Sequence, residues 1–147
     1  MFCGATILSS RWVLTAAHCL CKNRCRSFMD HDELFVTVGH RKKNYGPAKS
    51  EKRGFQEANV LAIIEHPSWK PQLLTGDIAL LKLDKDLILR PASYPACLPP
   101  LQFDLDKNID SDEPAVCVIS GWGATQGDGD NNYLLHATVP IIRNTGK

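Results

Sequence analysis

Phe2-Cys3-Gly4-Ala5-Thr6-Ile7-Leu8-Ser9-Ser10-Arg11-Trp12-Val13-Leu14-Thr15-Ala16-Ala17-His18-Cys19 is the stretch on which the fold turns. Ala5-Thr6-Ile7-Leu8 is compatible with a strand, Ser9-Ser10-Arg11 is a polar turn, and Trp12-Val13-Leu14-Thr15 is a second strand of β-branched and aromatic residues. Ala16-Ala17-His18-Cys19-Leu20 is too short to decide and is compatible with the start of a helical turn. Outward from this pair the same pattern continues. Leu34-Phe35-Val36-Thr37-Val38-Gly39 is a strand stopped by glycine, and Asn59 to Glu65 is another, ended by His66-Pro67. The proline holds His66 in extended geometry. Asp77-Ile78-Ala79-Leu80-Leu81-Lys82-Leu83 is nearly continuously apolar, which suits a strand buried on both faces. Val116 to Ser120 and Leu134 to Ile142 close the series. About seven short strands with turn signals between them and little helix predict an all-β, antiparallel barrel or sandwich.

The 147 residues allow one ordinary domain with enough chain to bury a core. Lys and Arg number 17 against 16 Asp and Glu, so the chain lacks the basic excess of a nucleic-acid binder. No apolar run exceeds five residues, whereas a spanning helix needs about 20; no membrane span is expected. Residues 41 to 53 are basic, with Arg41, Lys42, Lys43, Lys49, Lys52 and Arg53 against Glu51. A solvated loop is the favoured reading, and a polyanion site is the alternative. Pro91, Pro95, Pro99 and Pro100 exclude a helix there. The acidic, proline-flanked stretch 104–114 predicts a linker between a first unit, 1–103, and a second, 115–147.

Two residues could carry chemistry. His18 follows two alanines that leave space around its ring, and Asp77 stands at the mouth of the apolar strand after Gly76. Each alone has an ordinary structural explanation. Together they suggest an imidazole held by a carboxylate, which fixes the tautomer and stabilises the imidazolium formed when the ring takes a proton. Their 59-residue separation does not by itself establish the pairing. The six cysteines allow 15 pairings, so connectivity stays open at this point.

The Phe2–Cys19 stretch, with Thr15-Ala16-Ala17-His18-Cys19 at its core, resembles the histidine segment of the trypsin-like (chymotrypsin-family) serine proteases. Gly76-Asp77-Ile78-Ala79-Leu80-Leu81-Lys82-Leu83 resembles the aspartate segment. Ala96-Cys97-Leu98-Pro99 and Cys117-Val118-Ile119-Ser120-Gly121-Trp122-Gly123 resemble two later landmarks, in the family's order. The resemblance implies two antiparallel barrels with the active site between them; the first would be nearly complete here, lacking its first strand, and the second only begun. It implies proteolysis by serine acyl transfer, with His18 as general base and Asp77 orienting it. It further implies a Cys3–Cys19 disulfide, protein or peptide substrates, secretion, and no metal or organic cofactor.

The departures are specific. The family's nucleophile lies in a Gly-Asp-Ser-Gly-Gly segment beyond the Ser-Gly-Trp-Gly landmark, and none of the eight serines here has that context. Met1-Phe2-Cys3 has no signal-peptide character. The resemblance therefore implies a domain truncated at both ends, expected to be inactive alone; a non-catalytic serine-protease homologue acting as a binding or regulatory module is the alternative. Cys97 and Cys117 resemble family cysteines whose partners fall outside these residues, so both are expected unpaired. Cys21-Lys22-Asn23-Arg24-Cys25 departs from the common pattern and leaves two readings open. One is a local disulfide across one helical turn; the other is a zinc site drawn from His18, Cys19, Cys21, Cys25 and His31, whose spacing is irregular for zinc. Trp12 and Trp122 are expected in the core, and His66 and His136 on the surface. Asp128 and Asp130 lack the spaced oxygen ligands of a calcium loop and read as a solvated turn.

Overall fold

The computed structural model describes residues 3–23, 25–43, 54–103, 116–126 and 132–141. The 104–114 linker, the loop 127–131 with Asp128 and Asp130, and most of the basic segment 41–53 lie outside them. The chain divides into two compact units, Met1–Cys97 and Leu98–Lys147.

The first unit is an antiparallel half-barrel. Its strands are β1 (Thr6–Ile7), β2 (Trp12–Thr15), β3 (Cys21–Lys22), β4 (Ser27–Phe28), β5 (Phe35–Val38), β6 (Gln56–Glu65) and β7 (Ala79–Leu83). Five of them form one sheet in the order β1-β2-β7-β6-β5, and β3 and β4 form a separate hairpin. The described residues contain no α-helix, only two 3₁₀ turns at Ala17–Leu20 and His31–Glu33. The second 3₁₀ turn is closed by a capping box in which the Glu33 side chain accepts from the Asp30 amide at 3.0 Å, while Lys22 pairs with Glu33 across from the hairpin.

Period-two alternation builds the core. Val13 of β2, Val36 and Val38 of β5, Ala58 and Val60 of β6, and Ala79, Leu81 and Leu83 of β7 all point inward, joined by Ala17, Leu20, Leu34 and Leu87. The apolar run 78–83 differs from the expectation of a strand buried on both faces. Leu80 and Lys82 are only half-covered, and Ile78 is exposed. Trp12 likewise lies outside the core, half-buried with the Lys82 ammonium 5.8 Å from its ring centroid. In β6 a bulge between Val60 and Ala62 shifts the register against β7; Leu61 continues the exposed phase of Glu57 and Asn59, and the alternation breaks after it, where Ala62 and Ile63 are both half-buried.

Cys21 and Cys25 are joined, with Cα atoms 4.5 Å apart, but by the bend of the β3–β4 hairpin rather than by a helical turn. Asn23 and Cys25 take positive φ there, a conformation that tight reversals need and that asparagine tolerates well.

In the second unit β8 (Val116–Gly121) pairs with β9 (Leu135–Pro140) in an antiparallel ribbon. Val116 and Val118 are exposed, whereas Val139 and Ile141 are half-buried.

Candidate active site

Strand register brings His18 and Asp77 together. Strands β2 and β7 run antiparallel with Thr15 opposite Ala79. The exit of one strand therefore faces the entry of the other. His18 lies three residues past that exit and Asp77 two residues before that entry, so a 59-residue separation closes to a hydrogen bond.

The local chain on each side is shaped for the contact. Ala16 caps the 3₁₀ turn in extended conformation and accepts the Cys19 N–H at 3.1 Å. Ala17 is fully buried, which drives the next residue outward. On the other side, the Ile78 N–H donates to the Gly76 carbonyl at 2.7 Å, making a three-residue turn with Asp77 at its centre. Gly76 has φ +65°, and a Cβ there would come within 2.7 Å of the Ser68 carbonyl carbon. Only glycine satisfies both the left-handed backbone and that close approach.

His18 Nδ1 lies 2.7 Å from Asp77 Oδ2, and the His18 backbone N–H donates to Asp77 Oδ1 at 2.8 Å. Both carboxylate oxygens are thus engaged by one residue. A carboxylate can only accept, so Nδ1 carries the proton and Nε2 is left with its lone pair free. The His18 side chain is 53% exposed and that of Asp77 25%, so the ring opens to solvent over a carboxylate held beneath it. Burial pushes the Asp77 carboxyl up. The His18 amide and ring, their charge, and the Ala17 amide together outweigh it and hold the carboxyl below its usual value.

The sequence reading gave Ala16 and Ala17 only the role of leaving room. It missed that the Ala17 and His18 amides bind the carboxylate. Backbone donors leave no signature in residue type; a short 3₁₀ turn aimed at an acid would have been the signal. It also missed Gly76 as a required glycine.

Cys3 and Cys19 are bridged, with Cα atoms 6.1 Å apart. The bridge ties the chain ahead of β1 to the 3₁₀ turn carrying His18, and Thr15 Oγ1 reinforces it by donating to the Gly4 carbonyl at 3.0 Å. Because Cys19, Cys21 and Cys25 are all in disulfides, the five-residue zinc set has no thiol to offer as the chain stands. Cys97 and Cys117 are free and exposed. His66 accepts the Ser68 N–H through Nδ1 at 3.1 Å, and His136 is exposed on β9. Of the basic segment, the described residues are Arg41, Lys42 and Lys43. Trp122 is half-buried.

The family model described as Trypsin matches residues 1–147. Clotting factor C of Tachypleus tridentatus is 26% identical over 140 residues, which cover 95% of this chain and 13% of that protein. The chain therefore spans only a small part of the length of this curated relative.

Proposed function

The chain belongs to the trypsin family, and from that premise we propose that it carries the histidine and aspartate of a serine-protease active site, with the nucleophile outside its own serines. One observation supports this above the others: Asp77 holds the Nδ1 side of His18 at 2.7 Å, which leaves Nε2 as the nitrogen that can take a proton, on a side chain 53% exposed. A general base needs that arrangement. Nε2 takes the proton of an attacking hydroxyl, the ring becomes an imidazolium, and the ionised carboxylate stabilises it before the proton passes to the leaving amine. The depressed Asp77 carboxyl favours the ionised form of the orienting group.

The family acts on proteins and peptides, so the substrate class is a peptide bond. Disulfides at Cys3–Cys19 and Cys21–Cys25 fit an oxidising, extracellular setting. No helix among the described residues is long and apolar enough to cross a membrane.

The purified 147-residue chain should give no acyl-enzyme burst with an activated ester and no labelling by a serine-directed phosphonate. Stoichiometric labelling would overturn the proposal. In a form of the protein that carries the serine, His18→Ala should lower kcat by about 10⁶ and Asp77→Asn by about 10⁴. Unchanged turnover in either variant would remove these residues from the mechanism.

A further inference from the structure

Cys21 meets both carbonyl groups that flank His18. Its backbone N–H donates to the His18 carbonyl, and its Sγ lies 3.7 Å from the Ala17 carbonyl oxygen. A disulfide sulfur carries no proton, so the second contact is packing. A peptide group is planar and trans, so its C=O and N–H point opposite ways. The Ala17 carbonyl and the His18 N–H belong to one such group. Its carbonyl end rests on Cys21, and its N–H end donates to Asp77 Oδ1 at 2.8 Å. That plane cannot turn away from Asp77 without disturbing its contact with Cys21.

Cys21 is itself held from outside the 3₁₀ turn. The β3–β4 hairpin pairs Cys21 with Phe28 and Lys22 with Ser27, two residues in each strand. A ribbon that short is marginal by itself. Its bend also carries Asn23 at φ +53° and Cys25 at φ +60°. Asparagine tolerates the left-handed region, whereas a cysteine persists there when its surroundings impose it. The bridge to Cys21, with Cα atoms 4.5 Å apart, supplies that constraint. At the base of the hairpin the Met29 N–H donates to the Leu20 carbonyl at 2.8 Å, and Phe28 packs against the core.

We propose that the Cys21–Cys25 bridge makes Cys21 a positioning residue for the His18–Asp77 pair. It fixes the peptide group through which the His18 backbone binds the carboxylate, and with it the ring that the same carboxylate orients. This cysteine pair departs from the common family pattern, so the device belongs to this chain. Its effect on turnover rests on the proteolytic reading; its effect on the geometry of the pair does not.

Proton NMR of the 147-residue chain tests it, on the parent, on Cys21→Ser with Cys25→Ser, and on Lys22→Ala. The last removes the Lys22–Glu33 pair from the same hairpin and keeps the bridge. In the double variant the low-field Nδ1–H resonance of His18 should broaden or vanish. Protection of the His18 amide against hydrogen exchange should fall about 10-fold, the worth of one hydrogen bond to a charged group. Amides of the β2–β7 pairing should keep their protection, and Lys22→Ala should leave both His18 signals unchanged. A role in stability alone would lower the unfolding temperature and leave both signals where they were. In a form of the protein that carries the serine, the double variant should lower kcat about 10–100-fold with KM unchanged. Should the double variant not fold, Cys21→Val with Cys25→Val fills the same space without the bond and takes its place. Loss of the fold there too would make the bridge a requirement of the fold and overturn the proposal. Unchanged His18 signals without the bridge, or an equal change in Lys22→Ala, would also overturn it. If instead His18→Ala left turnover intact, the proteolytic reading would fail while the NMR result stood.

Discussion

Strands β7 and β8 are built from similar residues and meet opposite fates. Strand β7, Ala-Leu-Leu-Lys-Leu, buries alternate side chains at Ala79, Leu81 and Leu83, paired on both edges by β2 and β6. Strand β8, Val-Cys-Val-Ile-Ser-Gly, exposes every residue from Val116 to Ser120 and, among the described residues, has one neighbour, β9. Apolar composition is therefore not what makes a core strand. A strand is stabilised by what lies across its inner face and along both edges, and a two-stranded ribbon is marginal in water without them.

Hydrogen exchange should show the widest separation. Amides at the β6–β7 pairing should exchange only with global unfolding of the first unit, and those of β8–β9 through local opening. A protection ratio of about 10³ or more follows if the first unit has ordinary domain stability. Equal protection in the two ribbons would break the comparison.

Core truncation should come next. Leu83 is fully buried, and Leu83→Ala should cost about 2–5 kcal/mol. Val118 is 67% exposed, and Val118→Ala should change stability by no more than about 0.5 kcal/mol. Thermal or denaturant unfolding would measure both. A large loss at Val118 would show that β8 has a covering layer.

Gly76→Ala tests the joint between fold and site. The new Cβ meets Ser68 backbone, and an L-residue in left-handed conformation is itself strained, so about 2 kcal/mol or more should be lost. Asp77 should also shift. The low-field Nδ1–H resonance of His18 should then weaken or vanish in proton NMR. A stable variant with that resonance intact would separate the turn from the site.

Most of the strands were legible because alternation and β-branched runs mark them directly, as at Trp12–Thr15 and Val36–Val38. The boundaries that moved did so for tertiary reasons. Strand β6 begins at Gln56 rather than Asn59 because β5 supplies partners for Gln56, Glu57 and Ala58. Asp77 and Ile78 fall outside β7 where the Ile78 N–H is taken by the Gly76 carbonyl and the Ile78 carbonyl by the His66 N–H. The β3–β4 hairpin was hidden, since its four paired residues, Cys21, Lys22, Ser27 and Phe28, have no periodic signal. At the site, residue types pointed to His18 and Asp77, and the resemblance strengthened that reading. The contact itself rests on the Thr15–Ala79 register, a non-local pairing that no local pattern contains.

Acid titration should give the smallest effect and a well-defined sign. The Asp77 carboxyl is held below its ordinary value of about 3.9 in the folded chain. The unfolded chain therefore binds the proton more readily, and stability rises with pH across the interval between the two values. The contribution is fully present above the unfolded value and is lost as pH falls through the folded one. Asp77→Asn removes the titration, so the stability difference between parent and variant should narrow as the solution becomes more acidic. The described residues of the second unit contain no carboxylate. Asp104, Asp106, Asp110, Asp112, Glu113, Asp128 and Asp130, outside the described residues, give that unit carboxylates of its own, so the comparison is drawn against Asp77→Asn: the acid-induced shifts at Ala17 and His18 should disappear in the variant, and those of β8 and β9 should be the same in both chains. If the shifts of the ribbon also changed in the variant, the two units would be coupled and the contrast between them would be one of burial alone.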